Sequence, residues 1–181
     1  MKISRLLNIG YSLFVLLLLA QTYFNIQHIQ KSEKIREVLT KDIRPIVDNC
    51  EELIQLNDEL SLLLGKYIYS GFLSDKIRIN ALLDVEIKYH TKVLKRKSSN
   101  LEYQNTVSLI TIFNGLDSLQ HYARIIESEL VLESDYKNKA LHQRMLDLVA
   151  KKIYPYQKQV NNELKLLKTE YQSEYQKQQD A

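Results

Sequence analysis

Residues 43–68, IRPIVDNCEELIQLNDELSLLLGKYI, decide the predicted fold of this chain. Their core positions alternate spacings of four and three residues, which is the heptad pattern of an amphipathic helix: Ile46, Cys50, Leu53, Asn57, Leu60, Leu64 and Tyr67. Pro45 lies inside this pattern, and a proline lacks the backbone donor and clashes with the carbonyl four residues earlier. Because the pattern passes through Pro45 in register, it predicts a kinked helix rather than a broken one.

Three further helical runs follow, because the 181 residues contain only 4 glycines and 2 prolines that could interrupt them. The predicted helices cover about 28–70, 75–97, 101–133 and 136–178. No strand pattern longer than a few residues is present. Consecutive amphipathic helices joined by short turns predict an all-α, antiparallel up-down-up-down four-helix bundle.

The three later helices have apolar stripes of their own. The second stripe is the least regular, with Ile79, Leu82, Leu83, Tyr89 and Val93. The third is heptad-like, with Leu109, Ile112, Leu116, Leu119, Ala123, Ile126 and Leu130. The last comprises Leu141, Met145, Leu148, Tyr156, Val160, Leu164, Leu167 and Tyr171.

The N-terminal segment predicts a membrane anchor. No charged residue occurs in 6–27, and an apolar helix of about 20 residues spans a bilayer. Lys2 and Arg5 favour a cytoplasmic N-terminus for residues 1–5, which places residues 28–181 in the periplasm of a bacterial inner-membrane protein. The alternative is a cleaved signal peptide ending at Ala20, but Leu18 would then occupy a position that prefers a small residue.

Charge and motif content exclude several function classes. The formal net charge is +3, and without Lys2 and Arg5 the chain has 23 basic and 22 acidic residues, so no nucleic acid is expected as a partner. No catalytic or nucleotide-binding motif is present, so no enzyme and no cofactor are expected from this chain. A metal site would need ligands from separate helices, with His90, His121 and Glu86 as the only suggestion, and none is predicted.

The two prolines suggest a joint between a bundle and a membrane-proximal stalk. At 1.5 Å per residue, Pro45 and Pro155 are expected roughly 37 Å and 29 Å below the distal ends of their helices. The end of the second predicted helix falls near the same level. Both prolines are therefore predicted to be kink or hinge residues at the base of the bundle.

The chain resembles the extracytoplasmic four-helix-bundle sensor domain of methyl-accepting chemotaxis proteins and of related sensor histidine kinases and membrane-bound diguanylate cyclases. The resemblance depends on the N-terminal anchor, on residues 43–68 and on the returning helix IYPYQKQVNNELKLLKTEYQ, residues 153–172. It implies a homodimer through the first and last helices, a second membrane helix and cytoplasmic signalling modules. It also implies that the bundle senses a small ligand or a periplasmic binding protein.

The chain ends at Ala181, where the resemblance places the second membrane helix. We expect the sequence to be a piece of a longer receptor. The alternative is a single-pass scaffold that recruits a partner through tyrosine-rich faces and binds no ligand.

The candidate ligand-binding residues are cations near the distal end, because a guanidinium offers paired donors to a carboxylate. They are Lys66, Arg78 and Arg144, each of which also fits an ordinary surface charge. Asn57 is the fourth candidate, since it interrupts the seam of the first helix. Its structural interpretation is a polar residue that fixes register, and its functional interpretation is a hydrogen-bond donor to a ligand.

Overall fold

The computed structural model of the chain describes residues 2–98, 106–130 and 138–179. Every secondary-structure element in those ranges is helical, so the prediction of an all-α chain is confirmed. The chain divides into two compact units, Met1–Lys41 and Asp42–Ala181, which are described separately below.

Seven α-helices and three short π-helices are described. They are α1 (Lys2–Val38), π1 (Leu39–Ile43), α2 (Arg44–Ser70), α3 (Leu73–Ala81), π2 (Leu82–Glu86), α4 (Ile87–Ser98), α5 (Thr106–Glu129), α6 (Lys139–Leu148), π3 (Val149–Ile153) and α7 (Tyr154–Gln179). We call α3–π2–α4 the second helix and α6–π3–α7 the last helix. The predicted helical residues 101–105, 131–133 and 136–137 lie outside the described ranges.

The first unit consists mainly of α1, which is long and apolar enough to cross a membrane. Its apolar stretch is exposed from Gly10 onward, since leucines 13, 16, 17 and 19 and Phe14 are all accessible. An uncovered apolar helix of this length suits a lipid environment. A signal sequence shares that length and composition, so the membrane and the orientation stay predictions.

The predicted seams of α2 and α5 are confirmed as the core of the second unit. All seven α2 positions from Ile46 to Tyr67 and all seven positions from Leu109 to Leu130 are buried. α2 ends where expected, because Gly71 has a positive φ of 62° and its N–H donates to Tyr67 O. Glycine is the usual residue at such a left-handed helix end.

The predicted stripes of the second and last helices are partly wrong. Tyr89 is exposed, while Ile87 and Leu94 are buried in its place. In the last helix, Leu148 and Tyr156 are only half-buried, and the core positions are instead Val149 and Ile153.

Each of these shifts occurs at a π-helix, within π3 or directly after π2. A π-turn takes one residue more than an α-turn, so the buried face moves along the sequence by one position. Tyr154 N–H, for example, donates to Val149 O five residues earlier. The buried positions accordingly show two successive spacings of four, at Ile79, Leu83 and Ile87 and at Met145, Val149 and Ile153.

Both prolines lie directly after a π-helix. Pro45 is the second residue of α2, after π1, and Pro155 is the second residue of α7, after π3. A π-turn is wider than an α-turn, which gives the proline ring more room beside the preceding carbonyl groups. The helical path therefore continues through both prolines.

The contacts that π1 and α2 make with the second helix run in opposite orders along the two chain segments. The pairs are Asp42–Lys97 at 3.4 Å, Asn49–His90 at 2.7 Å, Glu59–Arg78 at 2.7 Å and Lys66–Asp75 at 2.8 Å. The last helix contacts α2 in the same opposite order, through Glu51–Lys168 at 3.3 Å, Asn57–Asn161 at 3.2 Å and Asp58–Gln157 at 2.6 Å.

The expected equal level of the two prolines is wrong. Ile43, Arg44 and Val47, which surround Pro45, line one cavity with Gln172 and Tyr175. Those two residues lie 17 and 20 positions beyond Pro155, about 26–30 Å along a helix. The expectation assumed that α2 and the last helix end together. In fact Asp58 lies 12 residues before the end of α2, whereas its partner Gln157 lies 18 residues after the start of α6.

A close approach between α5 and α7 depends on Gly115. A Cβ atom added at Gly115 would overlap a methyl group of Val160, which is fully buried. Valine is stiff at χ1, so this methyl cannot easily move away. Gly65, in α2, has nothing within 4 Å of the same added atom.

We therefore expect Gly115→Ala to lower the free energy of unfolding by about 1–3 kcal/mol through overpacking. Gly65→Ala, the matched control, should raise it by about 0.5–1 kcal/mol, because alanine restricts the unfolded chain more than glycine does. Urea unfolding of the detergent-solubilised chain measures both. Equal stability of the two variants would contradict the close approach.

Candidate functional site

Lys66 takes part in a clamp on the turn between α2 and α3. Its Nζ lies 2.8 Å from Oδ1 of Asp75, whose other carboxylate oxygen accepts a hydrogen bond from Ser70 Oγ at 3.0 Å. Asp75 is buried, and the hydrogen bond from Lys66 is the largest cause that lowers the pKa of its carboxyl. The carboxylate thus ties the end of α2 to the start of α3, and Lys66 is already engaged.

Arg78 lies between two carboxylates. Its Nε donates to Glu59 Oε1 at 2.7 Å and its Nη2 to Glu59 Oε2 at 3.0 Å, while Nη1 donates to Glu86. The hydrogen bonds to Glu59 and then to Glu86 raise the pKa of the guanidinium above its usual value. A two-pronged pair of this kind is the geometry in which arginine binds a carboxylate ligand, and here the protein supplies the carboxylates.

Of the three predicted cations, Arg144 has the most exposed side chain. Its Nη2 lies 3.8 Å from Glu129 Oε1, and 67% of the side chain is exposed. Such a long, exposed ion pair contributes little to stability. Arg144 can therefore exchange Glu129 for an external anion at small cost.

Asn57 belongs to a polar ladder between α2 and the last helix. Its Nδ2 donates to Asn161 Oδ1 at 3.2 Å, and Asn161 Nδ2 donates to Asp58 Oδ1 at 2.8 Å. Gln157 Nε2 donates to the same Asp58 oxygen at 2.6 Å. The ladder agrees with the interpretation of Asn57 as a residue that fixes register.

Not every buried polar atom at the contact between α2 and the last helix has a hydrogen-bond partner. Asn57 Oδ1 and Ser61 Oγ, one helical turn apart, are buried and have no hydrogen-bond partner among the described residues. A buried polar atom without a partner costs free energy. The contact between α2 and the last helix therefore fixes which residues pair, but its two unpaired polar atoms lower its stability.

The structure does not bring the four predicted residues into one site. Lys66, Arg78 and Arg144 each have different acidic partners, and Asn57 lies in the buried contact with the last helix. The suggested metal ligands do not meet either. His90 pairs with Asn49 and Glu86 with Arg78, and the described residues contain no group of three potential metal ligands.

A charged cluster between the second helix and α5 was not predicted from the sequence. Arg124 donates to Asn80, Asp84 and Glu127, and Lys76 lies 3.9 Å from the same Glu127 carboxylate. The spacing of Asn80 and Asp84, and of Arg124 and Glu127, places each pair on one helix face. Nothing in the sequence shows that those two faces meet, because their residues lie about 40 positions apart.

His90 links the second helix to Pro45. Asn49 Nδ2 donates to the carbonyl oxygen of Pro45, and the Asn49 oxygen lies 2.7 Å from His90 Nδ1. Since the amide oxygen can only accept, His90 Nδ1 is the donor. The proline carbonyl is thus held by a side chain as well as by the helix.

Cys50 offers no reactive thiol. It is fully buried, and burial raises the pKa of its thiol to about 12. The thiolate is the reactive form of cysteine, so this side chain behaves as a small core residue.

The asparagine pair predicts a coupled response to mutation. Asn57→Leu or Asn161→Leu alone should lower the free energy of unfolding by about 1–3 kcal/mol, because each change leaves one polar atom of the Asn57–Asn161 hydrogen bond without its partner. The double variant should lose less than the sum of the two, by at least about 0.5 kcal/mol. Urea unfolding of all four proteins gives the coupling, and additive losses would contradict a direct contact.

The turn clamp predicts a pH dependence of stability. Because the folded pKa of Asp75 is lowered, its contribution is fully present above the unfolded carboxyl pKa of about 3.9 and is lost as the pH falls through the folded value. Between pH 6 and pH 2 the parent chain should therefore lose more stability than Asp75→Asn. Lys66→Gln should flatten the profile in the same direction but less, since the Ser70 bond remains. Parallel profiles for all three chains would contradict the clamp.

Comparison with protein-family models, with curated proteins and with solved structures gives no match to this chain. The described geometry is therefore the basis for a function. Its principal features are an exposed apolar helix, a polar ladder between α2 and the last helix, and an exposed arginine beside Glu129.

Proposed function

We propose that residues 42–179 form an antiparallel up-down-up-down four-helix bundle that serves as the extracytoplasmic sensory domain of a bacterial membrane receptor. α1 anchors it in the inner membrane with the N-terminus in the cytoplasm. The opposite order of the contacts that α2 makes with the second and last helices supports the bundle. The exposed apolar surface of α1 supports the anchor.

One observation favours sensing above all. The last helix returns to the point at which the bundle unit begins, since Gln172 and Tyr175 lie beside Ile43 and Arg44. The anchor unit ends at Lys41, one residue before the bundle unit begins. A displacement of the last helix at the distal end is thus delivered to the end at which the bundle unit begins, where a following membrane segment would receive it.

In the proposed mechanism, binding shifts the last helix against α2 by about an ångström or two. The ligand or partner protein must bind the two arrangements with different affinity, or it shifts nothing. Arg144 is the distal cation with the most accessible guanidinium, and it would bind a carboxylate. Lys66 holds the turn between α2 and α3, and Arg78 joins the second helix to α2. Both residues therefore position the site rather than bind the ligand.

A second copy of the chain is part of the proposal, as is a downstream signalling module in the cytoplasm. The competing function is a membrane-anchored scaffold without a ligand. The exposed aromatic side chains Tyr69, Phe72 and Tyr89 favour it, because such residues are frequent in protein interfaces. The two functions differ in whether a small molecule stabilises the bundle.

A thermal-shift screen of the detergent-solubilised chain with amino acids and dicarboxylates tests the sensor. A ligand present at about 100 times its Kd should stabilise the fold by about 2.7 kcal/mol and raise Tm by about 5–10 °C. Arg144→Gln should abolish that shift. Arg44→Gln is the matched control, because its side chain is 70% exposed and pairs with Asp48 at 3.9 Å.

The outcomes separate the two functions. A shift that survives Arg144→Gln would remove Arg144 from the site but keep the sensor. The absence of any shift across the screen, together with capture of a protein partner that Tyr69→Ser abolishes, would replace the sensor by the scaffold.

A further inference from the structure

The second helix has an apolar stripe that its own chain leaves uncovered. Leu73, Ile77, Val85 and Tyr89 are 70%, 60%, 64% and 61% exposed. They follow one another at spacings of four or eight residues, with half-buried Ala81 between Ile77 and Val85. Consecutive exposed apolar residues on one helix line are typical of a surface that binds another protein.

The stripe runs between the two flanks by which the second helix contacts its neighbours. One flank meets α2, through Asp75, Arg78 and His90. The other meets α5, through Asn80 and Asp84. The stripe therefore faces away from the core and is free to meet a partner along its length.

The lower part of the stripe has opposite charges on its two sides. Lys88 and Lys92 continue the α5 flank at steps of four residues from Asp84, and both are exposed. Glu52 lies three residues after Asn49 and seven before Glu59, on the side of α2 that meets the second helix. Within the described ranges, none of Lys88, Lys92 and Glu52 forms an ion pair.

These charges lie at nearly the same level along the bundle. Asn49 pairs with His90, and Asp42 pairs with Lys97. Interpolation along the two helices places Lys88 and Lys92 beside α2 residues 51 and 47. Glu52 and Asp48 are thus level with the two lysines, on the opposite side of the stripe.

We propose that this stripe is the interface with a second copy of the chain, related by a two-fold axis parallel to the second helix. Such an axis brings the α5 flank of one copy against the α2 flank of the other, as e and g positions meet in a parallel coiled coil. Lys88 and Lys92 then face Glu52 and Asp48 of the other copy at the same level. The inference uses one part of the proposed function, that a shared membrane anchor keeps both copies the same way up.

The described part of the last helix offers no comparable surface. Its exposed large apolar residues are Tyr154 and Leu166, which are 12 residues apart. In α2 the exposed large apolar residues are Leu62 and Tyr69, which lie seven residues apart. The structure thus favours the second helix over the last helix that the sequence resemblance implies for the dimer.

Disulfide crosslinking of the full chain in membranes distinguishes the two interfaces. Cys50 is fully buried, so the parent chain should give no crosslinked dimer and can serve as the background. Val85→Cys places a thiol on the stripe, and Leu166→Cys places one on the last helix at a similar exposure of 56%. We expect an oxidised dimer for Val85→Cys and none for Leu166→Cys. A dimer with Leu166→Cys alone, or with neither variant, would overturn the interface.

A charge exchange tests the pairing across the axis. Lys88→Glu should weaken dimerisation in detergent by about threefold to tenfold, because two symmetry-related exposed ion pairs become repulsive. Glu52→Lys should weaken it similarly, and the double variant should restore it. Sedimentation equilibrium measures the dissociation constants. If the double variant stays as weak as the single ones, the pairing is wrong.

The thermal shift with carboxylates tests the sensor proposal separately from the interface. A monomeric chain that still binds a carboxylate at Arg144 would overturn this interface and leave the sensor in place. A chain that crosslinks through Val85→Cys but binds no carboxylate would support this interface and overturn the sensor.

Discussion

The contact between Asn57 and Asn161 fixes which part of the last helix stands beside the first. An apolar seam alone tolerates a shift by one heptad, because one leucine then replaces another. A buried amide does not, since a shift would leave its donors against leucines. The Asp58 and Gln157 pair lies in the same register, and the levels of all other features along the bundle follow from it.

The π-helices show why two prolines are tolerated inside long helices. The prolines are not the whole cause, because π2 has the same length as π1 and π3 but no proline follows it. What π2 and π3 share is a buried face with two successive spacings of four, around Leu83 and around Val149. The wide turn keeps such residues on one face, and a proline placed directly after it meets less steric conflict.

The sequence predicted the all-helical fold and the seams of α2 and α5, because those seams repeat without interruption. It failed where a local change of helix geometry shifted the face, as at Ile87 and Val149. It also failed for the partners of the cations. Arg78 looked available because Glu59 is 19 residues away, and only folding brings the two together. The charged cluster at Arg124 forms only when the second helix packs against α5, so its residues do not stand out as a group in the sequence.

The register also determines how binding and assembly relate to each other. Arg144 lies on α6, in the part of the last helix that extends beyond the end of α2, whereas Lys88 and Lys92 lie near the opposite end of the bundle. A ligand at Arg144 therefore acts on the last helix without contacting the proposed dimer surface on the second. Displacement of the last helix then breaks no contact of that surface, so the dimer can provide a fixed reference against which the last helix moves.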